Sequence, residues 1–500
     1  MGQTLEELRK ANACLRARLR TFHACLLTEP RPSGVGPPNL FNILAPIGAT
    51  RCALNLRYRV QSMPANKTSA ICASILLAAV SAVAETTVLK NFTLIDGNGG
   101  PPVPSAALVI VDGRIQSVGP SARIKTPAGA QVVDLAGKYV MPGIINLHGH
   151  VGNVVDLAQD KKFYTRENVE KDLKTYASYG VTTVASMGTD QDLIFGIRDE
   201  QRRGRPSMTR VYTAGQGFVA SGGVGAMPGV TFVVESPAEV AKDMDELARK
   251  KPDYVKMWVD DNLGHNKRMA PEVSKAVIDD AHQHHLKAVA HIFYYDDAKR
   301  LSDAGLNAFM HSIRDKPVDD ALIGSMKKHG VWQAAATFTR EESVFIYART
   351  PEFVDDPFFT RGVSPKVVAT LKDPAYQKRT ASNPDAPKYE GFLKTAQQNL
   401  KRLADAGIPY GMGTDAGPPG RFPGFFEHWE MALMVDAGLT PSQVITASTK
   451  RGAEFLGAKD LGTLEKGKWA DLIVLAKNPL DDIHNTRSLE AVYIAGNKVN

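Results

Sequence analysis

The middle of the chain, from about residue 141 to residue 455, alternates short apolar runs with segments of helical periodicity. Such alternation is typical of βα units, in which successive strands lie parallel in one sheet. The strand candidates are, in order, GIINLHGH, VTTVASMG, RVYTAGQGF, DYVKMWVDD, KAVAHIF, NAFMHSIR, VWQAAATFT and IPYGMGTDAG. Eight units in this rhythm favour a (β/α)8 barrel of the TIM type over an open, doubly wound sheet. Catalytic side chains of such barrels lie at the carboxyl ends of the strands.

Two flanks of different texture enclose this segment. Residues 85–140 break into short strands at Asp-Gly and Asn-Gly turns, and residues 456–500 have the same strand-and-turn pattern. Because chain termini in a domain often lie close together, we expect the flanks to pair. The predicted fold is therefore α/β, with a TIM-like barrel at 141–455 and a small β-sandwich formed by the N- and C-terminal flanks.

The first strand candidate ends in two histidines with one residue between them, in MPGIINLHGH. Side chains alternate across a strand, so His148 and His150 point the same way, and Gly149 keeps the backbone between them uncrowded. Two imidazoles on one face can hold a metal ion. The alternative is a polar strand end exposed to solvent.

Four further polar residues sit late in other strand candidates: Lys256 in the fourth, His291 in the fifth, His311 in the sixth and Asp415 in the eighth. Each has an ordinary explanation when it is taken alone. A lysine can extend its ammonium to solvent, a histidine can be a hydrogen-bonded core residue, and an aspartate can cap a helix. Six such residues at the strand ends of one barrel are hard to explain separately, and together they predict a metal site.

This ordered set resembles the amidohydrolase superfamily, in the binuclear-metal branch that has a carboxylated lysine. The resemblance covers about residues 86–500 and includes VMPGIINLHGH, the GTD of the eighth strand and the closing GTLEKGKWADLIVL. Within the superfamily, the sequence most resembles the imidazolonepropionase-like and Xaa-Pro dipeptidase-like group. It departs from the dipeptidase pattern after the fourth strand, where VDDNLGHN replaces the SGG turn. The resemblance implies two divalent metal ions, with zinc as the expected metal, and the following ligands: His148, His150 and Asp415 at one ion, His291 and His311 at the other, and Lys256 bridging them as a CO2-derived carbamate.

The chemistry explains why a lysine belongs in such a set. Its ammonium repels cations, but a burial-lowered pKa leaves a neutral amine that reacts with CO2 to give an anionic ligand with two oxygens. Two cations then acidify a bridging water toward hydroxide and polarise the scissile carbonyl. Asp415 is the expected general base, which passes the proton to the leaving nitrogen. The predicted activity is hydrolysis of a C–N bond in an amide, peptide-like or cyclic amide substrate.

Other functions remain open at this point. A lactonase or phosphotriesterase-type hydrolase uses the same pair of metals. A mononuclear deaminase usually needs no buried lysine on the fourth strand, so Lys256 argues against it. A catalytically silent barrel that serves as a scaffold predicts lost ligands, whereas all six are present.

The segment most suited to covering the site is the long connection at about 340–389, which follows the seventh strand. Its length and its aromatic residues favour a lid over a packing insert. Arg314 and Arg340 are candidates to bind a substrate carboxylate, and His265 is a candidate to hydrogen-bond the substrate. Surface or salt-bridged roles are the alternatives for all three. The expected partner is a small-molecule substrate, and a homo-oligomer is left open.

The first 84 residues differ from the rest in composition. They hold all four cysteines, and ten Lys and Arg residues against three acids, so residues 85–500 have no cysteine and no net formal charge. A disulfide framework and a thiolate metal site are therefore excluded for residues 85–500. The basic balance of the whole chain gives no argument for a nucleic-acid partner, and none is expected.

Part of this leader has the layout of an export signal, starting at Met63 with MPANKTSAICASILLAAVSAVAE. The apolar run at 70–80 is short for a membrane span, and an Ala-Val-Ala cleavage pattern ends at residue 84. Residues 63–84 are thus predicted to be a signal peptide for a periplasmic or secreted protein that keeps no stable membrane anchor. Residues 1–62 are interpreted as an upstream over-extension or a disordered tail.

Overall fold

The computed structural model describes residues 85–499, so the predicted leader, residues 1–62 and 63–84, lies outside the described part. Its strands are β1 Thr86–Leu94, β2 Val103–Val111, β3 Arg114–Pro120, β4 Gln131–Asp134, β5 Tyr139–Pro142, β6 Ile144–Gly149, β7 Val154–Val155, β8 Ala158–Gln159, β9 Val181–Ser186, β10 Arg210–Thr213, β11 Phe218–Val219, β12 Phe232–Val233, β13 Val255–Trp258, β14 Ala288–His291, β15 Ala308–Phe309, β16 Trp332–Gln333, β17 Leu472–Leu475, β18 Leu489–Ile494 and β19 Asn497–Lys498. Its α-helices are Arg166–Ser178, Leu193–Arg203, Pro237–Arg249, Pro271–Gln283, Tyr295–Asp303, Asp320–His329, Phe338–Glu342, Pro357–Thr360, Pro365–Lys372, Pro374–Ala381, Ala386–Asp405, Phe425–Asp436, Pro441–Thr446 and Gly452–Leu456. No helix within residues 85–499 is long and apolar enough to span a membrane.

Local sequence signals explain where these helices begin and end. Ser236 caps the helix Pro237–Arg249 in a capping box with Glu239, and a proline fills the first helical position. At the other end of a helix, Gly330 ends Asp320–His329 in the left-handed conformation that glycine adopts without strain. These signals fix the start of one helix and the end of another.

The two flanks pair in one eight-stranded sheet with the order β19-β18-β17-β5-β1-β2-β3, in which β4 pairs with β1. The junction is antiparallel, with Val140 of β5 opposite Val474 of β17. Leu89, Phe92 and Leu472 are buried in the hydrophobic core of this sheet. The predicted pairing of the flanks is therefore present; the exact domain boundaries stay a prediction.

The barrel strands follow in chain order around the middle of the molecule. β6, β9 and β10 are parallel neighbours, and so are β13, β14, β15 and β16. The eighth segment, which contains Tyr410 and Ala416, joins β16 to β6 on one side of the barrel. Tyr410 forms a parallel bridge with Gln333, and Ala416 forms a parallel bridge with Gly149. On the other side the ladder is interrupted between β10 and β13, where the Asp253 amide donates to the Thr213 carbonyl at 2.9 Å. The arrangement confirms the predicted α/β class and TIM-type barrel.

The predicted lid segment, residues 340–389, contains three complete short α-helices and two short 3-10 helices, and it overlaps one helix that begins before it and one that ends after it. Its aromatic residues Phe353 and Phe359 are buried, and they pack with Phe425 and Tyr179 outside the insert. These side chains thus form a hydrophobic core under the insert, as a packing insert requires. A lid function for this segment stays a prediction.

Candidate functional site

Six buried side chains meet at the carboxyl ends of the barrel strands. The Asp415 carboxylate lies 2.9 Å from His150 Nε2 and 3.5 Å from His148 Nε2. Lys256 Nζ lies 3.4 Å from His148 Nε2. The centroid of the His311 ring lies 4.7 Å from the centroid of the His148 ring and 3.9 Å from that of the His291 ring. The structure therefore brings together all six of the residues that the strand-end pattern selects, from five barrel strands.

These residues fit a metal centre by their chemistry. Ligand atoms of His148, His150 and Asp415 lie within 4.8 Å of one another, close enough to share one ion. His311 Nε2 is buried and has no hydrogen-bond partner among residues 85–499. An unpaired buried nitrogen is costly unless something binds it. Three imidazoles, a carboxylate and an orphaned fourth imidazole are donors that divalent transition metals prefer.

Hydrogen bonds to the Nδ1 atoms orient three of the imidazoles. His148 Nδ1 donates to the Met310 carbonyl at 2.7 Å, and His150 Nδ1 bonds the Thr189 hydroxyl at 2.8 Å. His311 Nδ1 bonds the Thr337 hydroxyl at 2.8 Å. In each case Nε2 is left for a ligand role, because the partner of one ring nitrogen decides what the other presents. The partners come from strand ends and loops, and no sequence pattern identified them.

Lys256 occupies the centre of the site and is 0% exposed. Burial lowers the pKa of Lys256 to about 7. In a substantial fraction of the molecules, this side chain is therefore a neutral amine near neutral pH. The ring of Trp258, two residues along the strand, lies 4.9 Å from Nζ. Gly188 leaves the room that both need, since a Cβ there would lie 2.7 Å from the Trp258 ring and 3.0 Å from Lys256 Cγ.

Asp415 is held in a conformation that few non-glycine residues adopt, with a φ of 58°. Its amide donates to the His148 carbonyl at 2.7 Å, which ties the end of the eighth segment to β6. Burial acts to raise the pKa of the carboxyl, but Arg421 and the two neighbouring imidazoles, His148 and His150, outweigh it and hold this pKa well below its usual range. Asp415 is therefore an ionised carboxylate throughout the neutral range.

A buried network under the site fixes the two strand ends that supply the first three donors. Asn146 Oδ1 accepts the His148 amide at 2.8 Å, and its Nδ2 donates to Glu427 at 2.6 Å and to the Thr414 hydroxyl at 3.0 Å. Burial raises the pKa of Glu427 to about 7. The network joins β6 to the eighth segment directly below His148 and Asp415.

Gly149 permits the spacing of the two histidines for a reason that the structure makes specific. A Cβ at this position would lie 2.7 Å from both the Tyr176 hydroxyl and the Val184 methyl group. Such contacts are closer than van der Waals packing allows. Glycine is therefore required between His148 and His150.

Two charged residues that the sequence analysis did not single out lie in this site. Asp260, two residues beyond β13, has its carboxylate 2.9 Å from His291 Nε2. Arg421 forms an ion pair with Asp415. The only advance signal for Asp260 was its place in the stretch VDDNLGHN, and Arg421 lies in a Gly- and Pro-rich loop that has no periodicity.

The three candidate substrate contacts have different surroundings. Arg314 is 0% exposed, and it pairs with Glu341 at 3.0 Å and donates to the Ile292 and Ser312 carbonyls. Its guanidinium is buried beside these partners, and its role as a substrate contact stays a prediction. The side chain of His265 is 57% exposed and bonds Asp385 at 2.6 Å, as an ordinary salt-bridged loop histidine does.

Arg340 is the third candidate, and it borders the site. It pairs with Glu341 at 3.0 Å, and its guanidinium lies 5.6 Å from the centre of the Tyr389 ring. Burial acts to lower the pKa of Arg340, but the charge of Glu341, with smaller contributions from Tyr389 and Asp415, outweighs it and raises this pKa above its usual range. Arg340 and Arg421 thus place guanidinium groups at the edge of the site, each paired with a carboxylate.

Comparison with known proteins agrees with this geometry. The chain is 25% identical over 394 residues to an uncharacterized protein of Mycobacterium tuberculosis, which covers 77% of this chain and 89% of the relative. It is also 25% identical over 392 residues to the imidazolonepropionase of Streptomyces griseus, covering 76% of this chain and 88% of the relative.

Solved structures share the fold. A Xaa-Pro dipeptidase with bound methionine matches with a TM-score of 0.64 at 21% identity, covering 83% of this chain and 99% of the other. Molinate hydrolase matches with a TM-score of 0.62 at 21% identity, covering 83% and 95%. The model of the amidohydrolase family matches residues 139–499, which is most of the described part. A match of this extent settles membership: the chain belongs to the amidohydrolase family, and it is a hydrolase that acts on carbon–nitrogen bonds.

Proposed function

We propose that this hydrolase cleaves an amide, peptide-like or cyclic amide bond with two divalent metal ions, expected to be zinc. The observation that carries the proposal is the convergence of six buried donors at one end of the barrel. The proposed ligands are His148, His150 and Asp415 for one ion, His291 and His311 for the other, and Lys256 as a carbamate between them. When bound, the ions would acidify a water molecule and polarise the scissile carbonyl.

Lys256 is suited to carbamate formation. Its neutral amine would attack the carbon of CO2, so that an N–C bond forms, a proton leaves the nitrogen and an anionic group with two oxygens results. The burial that lowers the pKa of Lys256 to about 7 supplies the neutral amine. An ammonium in the same place would be buried among imidazoles with a formal charge that repels cations.

Asp415 is the proposed general base. Its lowered pKa keeps the carboxylate ionised, so it can accept a proton from the attacking water and donate it to the leaving nitrogen. The bonds from Asn146 and the His148 carbonyl hold the two strand ends in fixed relation, which keeps this carboxylate beside His148 and His150. Positioning of this kind reduces the entropy that is lost when the reacting groups reach the transition state.

The substrate is proposed to be a small molecule, and the relatives support one with a carbon–nitrogen bond. The named relatives with assigned reactions are an imidazolonepropionase, a Xaa-Pro dipeptidase and molinate hydrolase. Arg340 at the edge of the site is the proposed contact for a substrate carboxylate, because a guanidinium binds a carboxylate through two parallel hydrogen bonds. A homo-oligomer also stays a proposal.

A direct test uses protein that starts at Glu85, stripped of metal and reloaded with zinc in the presence or absence of bicarbonate. Metal content per chain is measured, and turnover is assayed on N-acyl amino acids, Xaa-Pro dipeptides, cyclic amides and lactones. We expect two ions per chain, loading that depends on bicarbonate, and turnover of an amide. One ion per chain without bicarbonate dependence would support a mononuclear deaminase, and turnover of lactones alone would support the lactonase alternative.

We also propose that residues 63–84 direct export. The support is the pattern of a short apolar run followed by an Ala-Val-Ala cleavage site. Expression of the chain from Met63 in a bacterial host should give mature protein that begins at Glu85 and leaves the cytoplasm. Intact-mass measurement and fractionation check both points, and an uncleaved cytoplasmic product would contradict them.

A further inference from the structure

Trp258 shares the inner face of the barrel wall with Lys256. Both residues lie on β13, two positions apart. Val255 and Met257 alternate with them along this strand, and they pack in the hydrophobic core that also contains Val240 from a helix. Successive side chains of a strand point to opposite faces. Lys256 and Trp258 therefore point to the inside of the barrel.

Trp258 lies nearer than Lys256 to the carboxyl rim of the barrel. Two residues of a strand advance it by about 6 to 7 Å. In the parallel register with β14, Trp258 lies opposite His291, whereas Lys256 lies opposite Val289. The centre of the Trp258 ring lies 4.9 Å from Lys256 Nζ, and the residue is 6% exposed. The indole therefore borders the space directly above the lysine, on the face where such barrels carry out catalysis.

Three glycines enclose this ring, and they come from the connections after β9, β10 and β11. A Cβ would lie 2.7 Å from the indole at Gly188 and 2.6 Å from it at Gly225, and closer still at Gly217. Such contacts are shorter than van der Waals packing allows. The backbone of these connections therefore packs directly on the indole and holds it in place.

Trp258 and Asp415 lie on opposite walls of the barrel. β13 holds the fourth place among the eight barrel segments and the segment with Asp415 holds the eighth, so half a turn of the barrel separates them. The two arginines at the edge of the site belong to the Asp415 side, since Arg421 pairs with Asp415 and Arg340 follows the seventh segment. One wall is therefore charged, and the wall opposite presents an aromatic surface.

We propose that Trp258 determines specificity by limiting the size of the acyl group that the substrate carries. The inference rests on the proposed function, in which Asp415 passes a proton to the leaving nitrogen. The leaving part of the substrate then lies on the Asp415 side, and the acyl part faces the indole. Because glycine backbone holds the ring in place, the ring fills volume that a bulky acyl group would need. The expected substrates are amides with a small acyl group.

A purely structural indole would support Lys256 without contacting the substrate. The two roles differ in what a smaller side chain does to the enzyme. Loss of a structural support lowers turnover of all substrates by the same factor. Loss of a size limit changes the ratio between bulky and small substrates, because only the bulky one gains from the added space.

The first measurement is kcat/KM for the N-acetyl and N-phenylacetyl forms of one amino acid, on zinc-loaded wild type, Trp258→Leu and Trp258→Ala. Zinc content is measured for each protein beforehand. We expect the ratio of phenylacetyl to acetyl turnover to rise by about 10-fold or more in both variants, because fit in an apolar pocket discriminates by at least this factor. Should the alanine variant fail to fold, the leucine variant decides. A ratio equal to that of wild type overturns the proposal.

Trp332 provides a matched control. It is the first residue of β16, at the amino end of that strand, and its ring centroid lies 5.6 Å from that of Phe455. Trp332→Leu therefore makes the same change away from the carboxyl rim. The ratio of phenylacetyl to acetyl turnover should stay within about twofold of wild type in this variant. A rise equal to that of Trp258→Leu overturns the proposal.

The second measurement does not depend on turnover. Acetohydroxamate and phenylacetohydroxamate bind a divalent ion through two oxygens and carry the same two acyl groups to the metal. Calorimetry on zinc-loaded protein should show that Trp258→Leu shifts the relative affinity toward phenylacetohydroxamate by about 10-fold. An unchanged preference, or no hydroxamate binding at all, overturns the proposal. A shifted preference in a protein that cleaves no amide would remove the proposed reaction and keep the size limit.

Discussion

Arg421 places its guanidinium on the carboxylate of Asp415, the residue proposed to act as both metal ligand and general base. The side chain of Arg421 is 21% exposed, so this cation lies at the boundary between the site and solvent. A guanidinium and a metal ion compete for the same carboxylate oxygens. The pair therefore predicts that the charge of Arg421 opposes metal loading.

Arg421→Gln should bind zinc more tightly than wild type, by about 3- to 10-fold, because it removes the positive charge that pairs with the proposed ligand Asp415. The measurement is a zinc titration of the metal-free protein against a chelator. Arg166→Gln is the control, because Arg166 pairs with Glu200 on the exposed surface. Weaker binding in Arg421→Gln would mean that Arg421 mainly orients Asp415.

Lys256→Ala should abolish turnover, because it removes the proposed bridge between the two ions. Short carboxylates such as acetate should restore part of the activity by occupying the vacated position. Lys287→Ala is a suitable control, since Lys287 bonds the Phe455 carbonyl and lies outside the six-residue cluster. A wild-type rate in Lys256→Ala without any added carboxylate would contradict the bridging role.

Thr337 combines backbone strain with a contact to the site. It is a β-branched residue with a φ of 56°, and its hydroxyl bonds His311 Nδ1 at 2.8 Å. Thr337→Gly relieves the strain and Thr337→Ala does not, so the glycine variant should be more stable by about 1 kcal/mol. Both should bind the second ion more weakly, by about 10-fold or more, because both lose the hydroxyl. Urea unfolding and zinc competition check these outcomes, and equal stability of the two variants would rule out strain at this position.

Asp172 should make stability depend on pH. Burial raises the pKa of Asp172 to about 6, although the Gly152 amide donates to its carboxylate. In the unfolded chain this pKa is about 4. Between about pH 4 and pH 6 the folded state keeps a proton that the unfolded state loses, so this group's contribution to stability falls as pH rises through that window and stays low above it.

Asp172→Asn removes this loss and can still accept the Gly152 amide. Its free energy of unfolding should exceed that of wild type by about 2 kcal/mol at pH 8 and equal it near pH 4. Urea unfolding at pH 4, 6 and 8 provides the comparison. Asp320→Asn, at a surface position paired with Arg402, should change stability by less than about 0.5 kcal/mol. A difference that is the same at all three pH values would show that the carboxyl is not titrating in this window.

The strand-end residues could be located from the sequence because strands have regular patterns of apolar and alternating side chains. His148 and His150 share a face by the alternation of a strand, and Lys256, His291, His311 and Asp415 each come late in an apolar run. Parallel strands in a barrel bring all carboxyl ends to one rim, so order along the chain was enough to predict that these six would meet.

The remaining features depend on atoms that have no fixed spacing in sequence. Asp260 and Arg421 reach the site from loops, and the direction of a loop side chain is set by local turns and contacts that leave no period. The same is true of Arg314, whose burial against Glu341 could not be read from its place three residues after His311. The aromatic residues of 340–389 suggested a cover for the site, but their burial depends on the helix Phe425–Asp436, which lies far along the chain.

By itself, the sequence determined the fold class and the identity of the side chains at the barrel rim, because hydrogen-bonded strands and helices impose a repeat that residues must follow. Only the tertiary structure decided which groups bond the Nδ1 atoms of His148, His150 and His311, which arginine faces Asp415 and which carboxylate lies beside His291. Those outcomes depend on distances of about 3 Å between groups that are remote in the chain, and hydrogen bonding is sensitive to such distances while hydrophobic patterning is not.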